Sequence, residues 1–119
     1  MRIAVCCPNA QEAGRICRII GEQAALAHKS AAADPFSSEE TFWRVFEPGR
    51  FFGAVIGWGD IRGFLCARRV CEEDRACRVI ALDDTDRYAI RGLRIHLTDY
   101  LVRPLEEARL RAAADRLLM

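Results

Sequence analysis

The chain reads as an α/β domain, a parallel sheet with helices packed on both faces. Three observations predict it. Short apolar runs alternate with segments of helical period along all 119 residues. The run Phe51–Gly59, FFGAVIGWG, is apolar without polar alternation, as a central parallel strand covered on both faces requires. Connections are short, with no internal repeat or low-complexity tract, and strict strand–helix succession favours parallel pairing through right-handed crossovers.

Five strand–helix units follow in order. Arg2–Cys6 is a short apolar strand, and Pro8-Asn9 opens a helix. There Asn9 and Glu12 have capping-box spacing, and Ala13, Ile16, Cys17, Ile19 and Ile20 form an apolar stripe of helical period that is predicted to end near Gly21. A second strand is expected around Ala31–Ala33, where alanine contributes little strand preference. Ser37 with Glu40 repeats the capping spacing. Phe42, Trp43, Val45 and Phe46 supply a buried face, and Glu47-Pro48-Gly49 stops the helix. After the strand Phe51–Gly59, a helix is predicted over Gly63–Val70 with Leu65, Cys66 and Val70 inside, ending in solvent at Glu72-Glu73-Asp74. Val79–Leu82 is the fourth strand, and a helix runs from about Asp86 to Leu93. Tyr100–Val102 is the fifth strand, and the last helix, Leu105–Leu118, is expected to bury Leu105, Ala108, Leu110, Ala113 and Leu117.

The bulk numbers fit one domain spanning residues 1–119, long enough for a real core. Hydrophobic residues make up 51% and charged residues 29%, the balance of a globular protein. A net charge of +1 gives no global attraction to nucleic acid, and Lys29 is the only lysine among 18 basic side chains. No apolar run approaches the ~20 residues needed to cross a bilayer. Met1-Arg2-Ile3-Ala4-Val5 leads straight into a strand without a signal-peptide layout, so the expected location is the cytoplasm.

Six cysteines raise the question of a metal or redox centre. No Cys-x-x-Cys pair exists, and His28 and His96 stand in no ligand-like cluster, so buried reduced thiols are expected and no metal or cofactor. Cys7 has no histidine nearby in sequence to activate it as a nucleophile. Gly53, Gly57 and Gly59 fall within the predicted strand run and make no phosphate-binding loop. Trp58 and Phe52 read as core side chains, the indole at the strand end being bulky enough to plug a pocket.

The most informative stretch is Arg78–Leu105, in which an apolar strand meets the acidic loop Asp83, Asp84, Asp86 and a later strand delivers Arg103 onto Pro104. Open α/β sheets place their chemistry at that carboxyl edge. Together with the start Met1-Arg2-Ile3-Ala4-Val5-Cys6, the segment Phe36-Ser37-Ser38-Glu39-Glu40, Tyr88-Ala89-Ile90, and Asp99-Tyr100-Leu101-Val102-Arg103-Pro104, this stretch resembles the receiver domains of two-component response regulators. It is most similar to those preceding LytTR-type DNA-binding domains. The resemblance spans nearly the whole chain. It implies a flavodoxin-like (βα)5 three-layer sandwich with a five-stranded sheet of order 2-1-3-4-5, a cis Arg103-Pro104 bond, and in the family an output domain after the last helix.

Family receivers take a phosphoryl group from a histidine kinase onto an aspartate after the third strand, with Mg²⁺ held there and by an acidic pair after the first. Carried over residue by residue, the acidic pair falls on Cys7 and Pro8, a poor match for a hard cation. The phosphoacceptor falls on Trp58 or Gly57. The hydroxyl that binds phosphoryl oxygen falls on Asp83, and the lysine on Arg103, which keeps the charge but not the compact ammonium. Since phosphoryl transfer is mostly positioning and charge neutralisation, this pattern implies a non-enzymatic module acting independently of phosphorylation. The alternative is a working receiver with Asp60 as the acceptor, reached if the third strand is bulged or slid, and served by a histidine kinase. A small-molecule sensor using the altered pocket is a third option.

The resemblance also makes Tyr100 the switch aromatic. It places an interaction or dimerisation face on the fourth helix, fifth strand and fifth helix, with Tyr88, Arg91, Glu106, Arg109 and Arg116 exposed. The partner is then a protein or a second copy, with DNA reached only through an attached or partner output domain. One further expectation comes from the residues themselves. Asp83 and Arg103 end neighbouring strands, and a carboxylate–guanidinium pair between them would lock the edge.

Overall fold

The structure, a computed structural model, describes residues 1–119. The elements are β1 (Arg2–Cys6), α1 (Ala10–Leu26), β2 (Ala32–Phe36), α2 (Glu39–Val45), β3 (Gly53–Ile56), α3 (Asp60–Glu73), β4 (Arg78–Asp83), α4 (Ala89–Arg94), β5 (Asp99–Val102) and α5 (Glu107–Leu118). All strands pair in parallel, in the order β2-β1-β3-β4-β5. The predicted α/β class, strand count and strand order therefore hold.

Side chains alternate across a strand, and here that alternation sorts the core into two layers. Ile3, Val5, Val55, Ile80, Leu82 and Leu101 face α1 and α5, meeting Ile16, Ile20, Leu110 and Leu117. Their neighbours Ala4, Cys6, Ala54, Ile56 and Val79 face α2 and α3, meeting Phe42, Phe46, Ala67 and Val70. Phe42 sits among Phe36, Trp43, Phe46 and Phe51 with ring centroids 4.9–6.1 Å away, the spacing at which aromatic pairs attract beyond their buried area.

Several boundaries differ from the sequence expectation. α1 runs through Gly21 to Leu26 because Gln23 and Ala24 continue its buried stripe, and the turn closes at His28 with φ 56°. β2 lies further along than Ala31–Ala33 and takes in Asp34-Pro35, which an edge strand tolerates. Ser38, not Ser37, caps α2 by accepting from Thr41 N–H. β3 has only four residues, so Gly57, Trp58 and Gly59 form the connection to α3 and do not lie within the strand. α3 starts at Asp60, and the phase this sets turns Phe64 and Ala67 inward and leaves Leu65 exposed. α4 begins at Ala89, and α5 begins at Glu107 with Leu105 only half-buried and Ala108 exposed.

All six cysteines are free, with Cys17 and Cys71 half-buried and the others buried. Burial pushes the Cys66 and Cys77 thiols up to about 12. No helix is long and apolar enough to cross a membrane.

Candidate functional site at the carboxyl edge of the sheet

At the carboxyl ends of β1, β3 and β5 lies a polar cleft of about 590 Å³, lined by Pro8, Asn9, Gln11, Glu12, Arg15, Gly57, Trp58, Asp84, Arg103, Pro104 and Leu105. Its floor follows from the pleat. Cys7, Gly57 and Arg103 continue the alternation of Val5, Val55 and Leu101, so all three belong to the α1–α5 face of the sheet. Arg103 reaches across that face to the first turn of α1. Its Nη2 donates to Glu12 Oε1 at 2.7 Å and its Nε to Oε2 at 2.9 Å. Nη2 also donates to the Gly57 carbonyl at 3.0 Å, and Nη1 lies 3.5 Å from Asp84 Oδ1. Only 22% of the Arg103 side chain and 21% of the Glu12 side chain remain exposed.

The forked, charge-assisted bond from Arg103 holds the Glu12 carboxyl below the usual carboxylate range. Burial, then the Glu12 charge, pushes the Cys7 thiol up to about 12, which leaves it unreactive. Arg15 adds a second tie, donating to the Leu105 carbonyl at 2.8 Å.

Gly57 is buried under this arrangement. A Cβ at position 57 would lie 2.9 Å from the Cys6 carbonyl oxygen, 2.9 Å from Cys7 Sγ and 3.1 Å from Arg103 Nη2. Real Cβ atoms essentially never come within 3.0 Å of such neighbours, so the position accepts no side chain without displacing backbone. It is also the residue directly after β3, and with Trp58 it is one of the two positions on which the resemblance puts the family's phosphoacceptor. Trp58, one residue on, turns to the opposite face. Its indole nitrogen is buried with no hydrogen-bond partner and packs on the α3 side.

The Mg²⁺ that the receiver fold implies does not fit this donor set. The side chains available around Gly57 are a protonated thiol, a proline ring, a glutamate already held by arginine and the exposed Asp84 carboxylate, itself beside Arg103, whereas magnesium demands near-octahedral oxygen. No three His, Cys, Asp or Glu side chains come together as a metal group. Asp60 also stands apart. Its φ is 56°, its side chain is 67% exposed and pairs with Arg87 at 3.2 Å, and its N–H donates to Asp83 Oδ1 at 3.0 Å.

The expected Asp83–Arg103 side-chain pair does not form. The two residues are joined only through the backbone, with Arg103 N–H donating to the Asp83 carbonyl at 2.8 Å. Asp83 continues the alternation of Val79 and Ala81, so its carboxylate emerges on the α3 face, opposite Arg103. There it accepts from the N–H groups of Asp60 and Asp84, while the Tyr100 hydroxyl lies 3.1 Å from its Oδ2 and 2.9 Å from the Thr85 carbonyl. Burial works to raise the Asp83 carboxyl, but these donors hold it below its ordinary value. Burial, with the Asp83 charge, lifts the Tyr100 phenol to about 12. Tyr100 thus pins the β4–α4 loop. Arg103-Pro104 is cis, as expected.

On the expected interaction face, Tyr88 is buried, not exposed. It precedes the first turn of α4 and stacks on Phe64 of α3, with ring centroids 5.2 Å apart. Arg91 and Glu106 are exposed. Arg109 and Arg116 both close on Asp99, Arg109 through two bonds of 2.7 Å, so their charge is spent within the domain. Glu12 is the site residue that sequence reasoning assigned to another task. Asn9 does accept from Glu12 N–H, but the glutamate carboxylate does not return to cap and goes to Arg103. An acid in the first turn after a strand ending in Cys-Pro was the available signal.

No protein-family model matches the chain, and no curated protein sequence does. Solved structures do match. The chain is similar to DrrB of Thermotoga maritima, an OmpR/PhoB-homologous response regulator, at 21% identity and TM-score 0.72, covering 98% of this chain and 52% of that one; it thus spans about half the length of that protein. It is similar to HP1043, an orphan response regulator of H. pylori, at 17% identity and TM-score 0.78, covering 99% and 93%. It also matches a CpaE pilus assembly protein of Burkholderia thailandensis at 15% identity and TM-score 0.75, covering 99% and 98%. With the 2-1-3-4-5 sheet, these likenesses establish the architecture: a flavodoxin-like α/β sandwich with the fold of response-regulator receiver domains.

Proposed function

We propose that this domain is a receiver-type signalling module that takes up no phosphoryl group and acts through contact with a protein partner or a second copy. It serves transcription regulation in the cytoplasm, as part of a LytTR-type or similar regulator, with any DNA contact made by an output domain. It is not an enzyme and uses no cofactor. The observation that carries this reading is the space at Gly57. A phosphoacceptor needs a carboxylate there, and the Cys6 carbonyl, Cys7 Sγ and the Arg103 guanidinium leave no room for its Cβ. Arg103 cannot swing to meet an incoming phosphoryl group without abandoning Glu12 and the Gly57 carbonyl. The cation at the position to which the resemblance gives a lysine serves here as a structural tie.

Incubation with acetyl phosphate or beryllium fluoride plus Mg²⁺ tests the proposal. Intact mass and Trp58 fluorescence are expected to stay unchanged. A phosphoryl adduct that disappears in Asp60→Asn would instead make Asp60 the acceptor and a histidine kinase the partner.

A further inference from the structure

Most of the α1–α5 face of the sheet is filled, but the strip where β2 runs beneath α1 is not. The register sets Ala33 beside Ile3 and Pro35 beside Val5, so these two short side chains face α1. Above them α1 presents Ala10, Ala13, Gly14 and Cys17, while its large residues Ile16, Ile19 and Ile20 turn into the core. Short side chains on both walls leave a hollow of about 450 Å³ whose rim is open to solvent. A Cβ at Gly14 would meet nothing within 4 Å. Protein interiors leave few gaps larger than a water molecule, and a concavity of this size falls within the ~300–1,000 Å³ of small-molecule sites.

The lining sets the chemistry of an occupant. It holds no Asp, Glu, Lys, Arg or His, although charged residues make up 29% of the chain. Burial holds the thiols of Cys7 and Cys17 above their ordinary value, so both are neutral. One hydrogen-bonding side chain is free. Ser38 takes the capping role at α2, and the neighbouring Ser37 hydroxyl, exposed at the rim, bonds to no other residue. Mostly apolar walls with few polar groups are what small-molecule sites present. The same lining is a poor seat for a protein, because it has no Trp, Tyr or Arg, the residue types that anchor protein interfaces. Nor do any of the large exposed side chains Leu26, Ile61, Leu65, Ile90, Leu93 or Val102 line it.

We propose that the hollow between α1 and β2 binds a small, uncharged, mainly apolar molecule of the size of an aromatic bicycle, with one hydrogen-bonding group that meets Ser37. Its occupant would touch Cys7, whose Sγ also lies 2.9 Å from the Cβ position of Gly57. The hollow thus adjoins the side chain that crowds the candidate site, from the opposite side of α1. This assignment goes beyond the contact-module reading and does not depend on it.

An NMR titration of the full chain with indole tests the assignment, with indole-3-carboxylate and tryptamine as the anionic and cationic comparisons. Saturable shifts are expected at residues 7–17 and 33–37. Both charged analogues should bind roughly tenfold more weakly or worse, since apolar walls do not replace their hydration. Gly14→Leu should fill the hollow and weaken indole binding roughly tenfold or more. Gly21→Leu, on the same helix, equally unobstructed and outside the lining, should leave it unchanged. Ala10→Leu at the rim is a second filling variant, and circular dichroism checks that each variant is folded.

Absence of saturable shifts at millimolar indole, shifts centred on the Arg103 cleft, equal binding by the charged analogues, or undiminished binding by the filling variants would overturn the proposal. So would shifts at these residues that grow with protein concentration without indole and vanish in Gly14→Leu, which would give the hollow to a second copy. Phosphoryl uptake in the acetyl phosphate experiment would overturn the contact-module reading and leave the indole data standing, so the two failures are distinguishable.

Discussion

The sheet edge and the α4 side handle the same residue type in opposite ways. At the edge, Arg103 is 22% exposed and spends its donors on Glu12, Gly57 and Asp84. On α4, Arg91 and Arg94 face solvent with no acceptor. The first arginine closes a site where the fold could hold chemistry, while the other two leave charge available. A partly buried guanidinium must be satisfied internally or its desolvation is unrepaid. An exposed one is solvated by water and can remain uncommitted until something binds.

Removing Glu12 should break that contrast most forcefully. Glu12→Ala leaves Arg103 half-buried without its main acceptor and is expected to cost about 2–3 kcal/mol. Arg91→Ala should stay within about 0.5 kcal/mol of the parent. Urea unfolding of both variants measures the difference, and equal losses would mean that the two arginines stand in equivalent surroundings.

Glycines sharpen the comparison at slightly lower amplitude. Gly57→Ala must push the Cys6 carbonyl or Cys7 aside and should destabilise by about 1–3 kcal/mol. Gly14 of α1 has open space around its Cβ position, so Gly14→Ala should stabilise by about 0.5–1 kcal/mol through helix preference alone. Thermal melts of the two variants should therefore move in opposite directions.

The smallest effect per group is in acid. Hydrogen bonds from Arg103 hold Glu12 low. Asp83 and Asp99 are also held low, burial being outweighed by main-chain N–H groups and Tyr100 at the former and by Arg109 at the latter. A carboxylate with a depressed folded-state pKa adds stability that is fully present above its unfolded value of about 4. That stability is lost as pH falls through the folded value. The melting temperature should hold from pH 7 to about 5 and then drop, and the drop should be shallower in Glu12→Gln.

The sheet was legible because its strands announce themselves by composition. The run of Phe51–Ile56 is apolar on both faces, and Val79–Leu82 is apolar, opens with the β-branched pair Val79-Ile80 and is bounded by charge. Helix limits were less legible. Gly21 resembles a stop, but tertiary burial of Gln23 and Ala24 carries α1 past it.

At the site, the sequence showed which residues end the strands but not how the pleat divides them. Asp83 and Arg103 look like partners in one dimension, and the alternation sends them to opposite faces. The resemblance puts Tyr88 on an exposed interaction face, yet Phe64, 24 positions earlier in the chain, covers it. Glu12 could not be paired with Arg103, 91 positions apart, from local spacing. Nor does a line of letters reveal that a glycine has no room.

Crowding at Gly57 also constrains how such a sequence can change. An aspartate arriving there first would collide with the Cys6 carbonyl, Cys7 and Arg103 together. A slimmer residue at 103 arriving first would strand Glu12. Changing residue 103 relieves only the 3.1 Å neighbour and leaves the Cys6 carbonyl and Cys7 Sγ at 2.9 Å, so a carboxylate at 57 also requires the end of β1 to move. Any substitution at this edge therefore has to be concerted across three strands, because Cys6, Gly57 and Arg103 share one space.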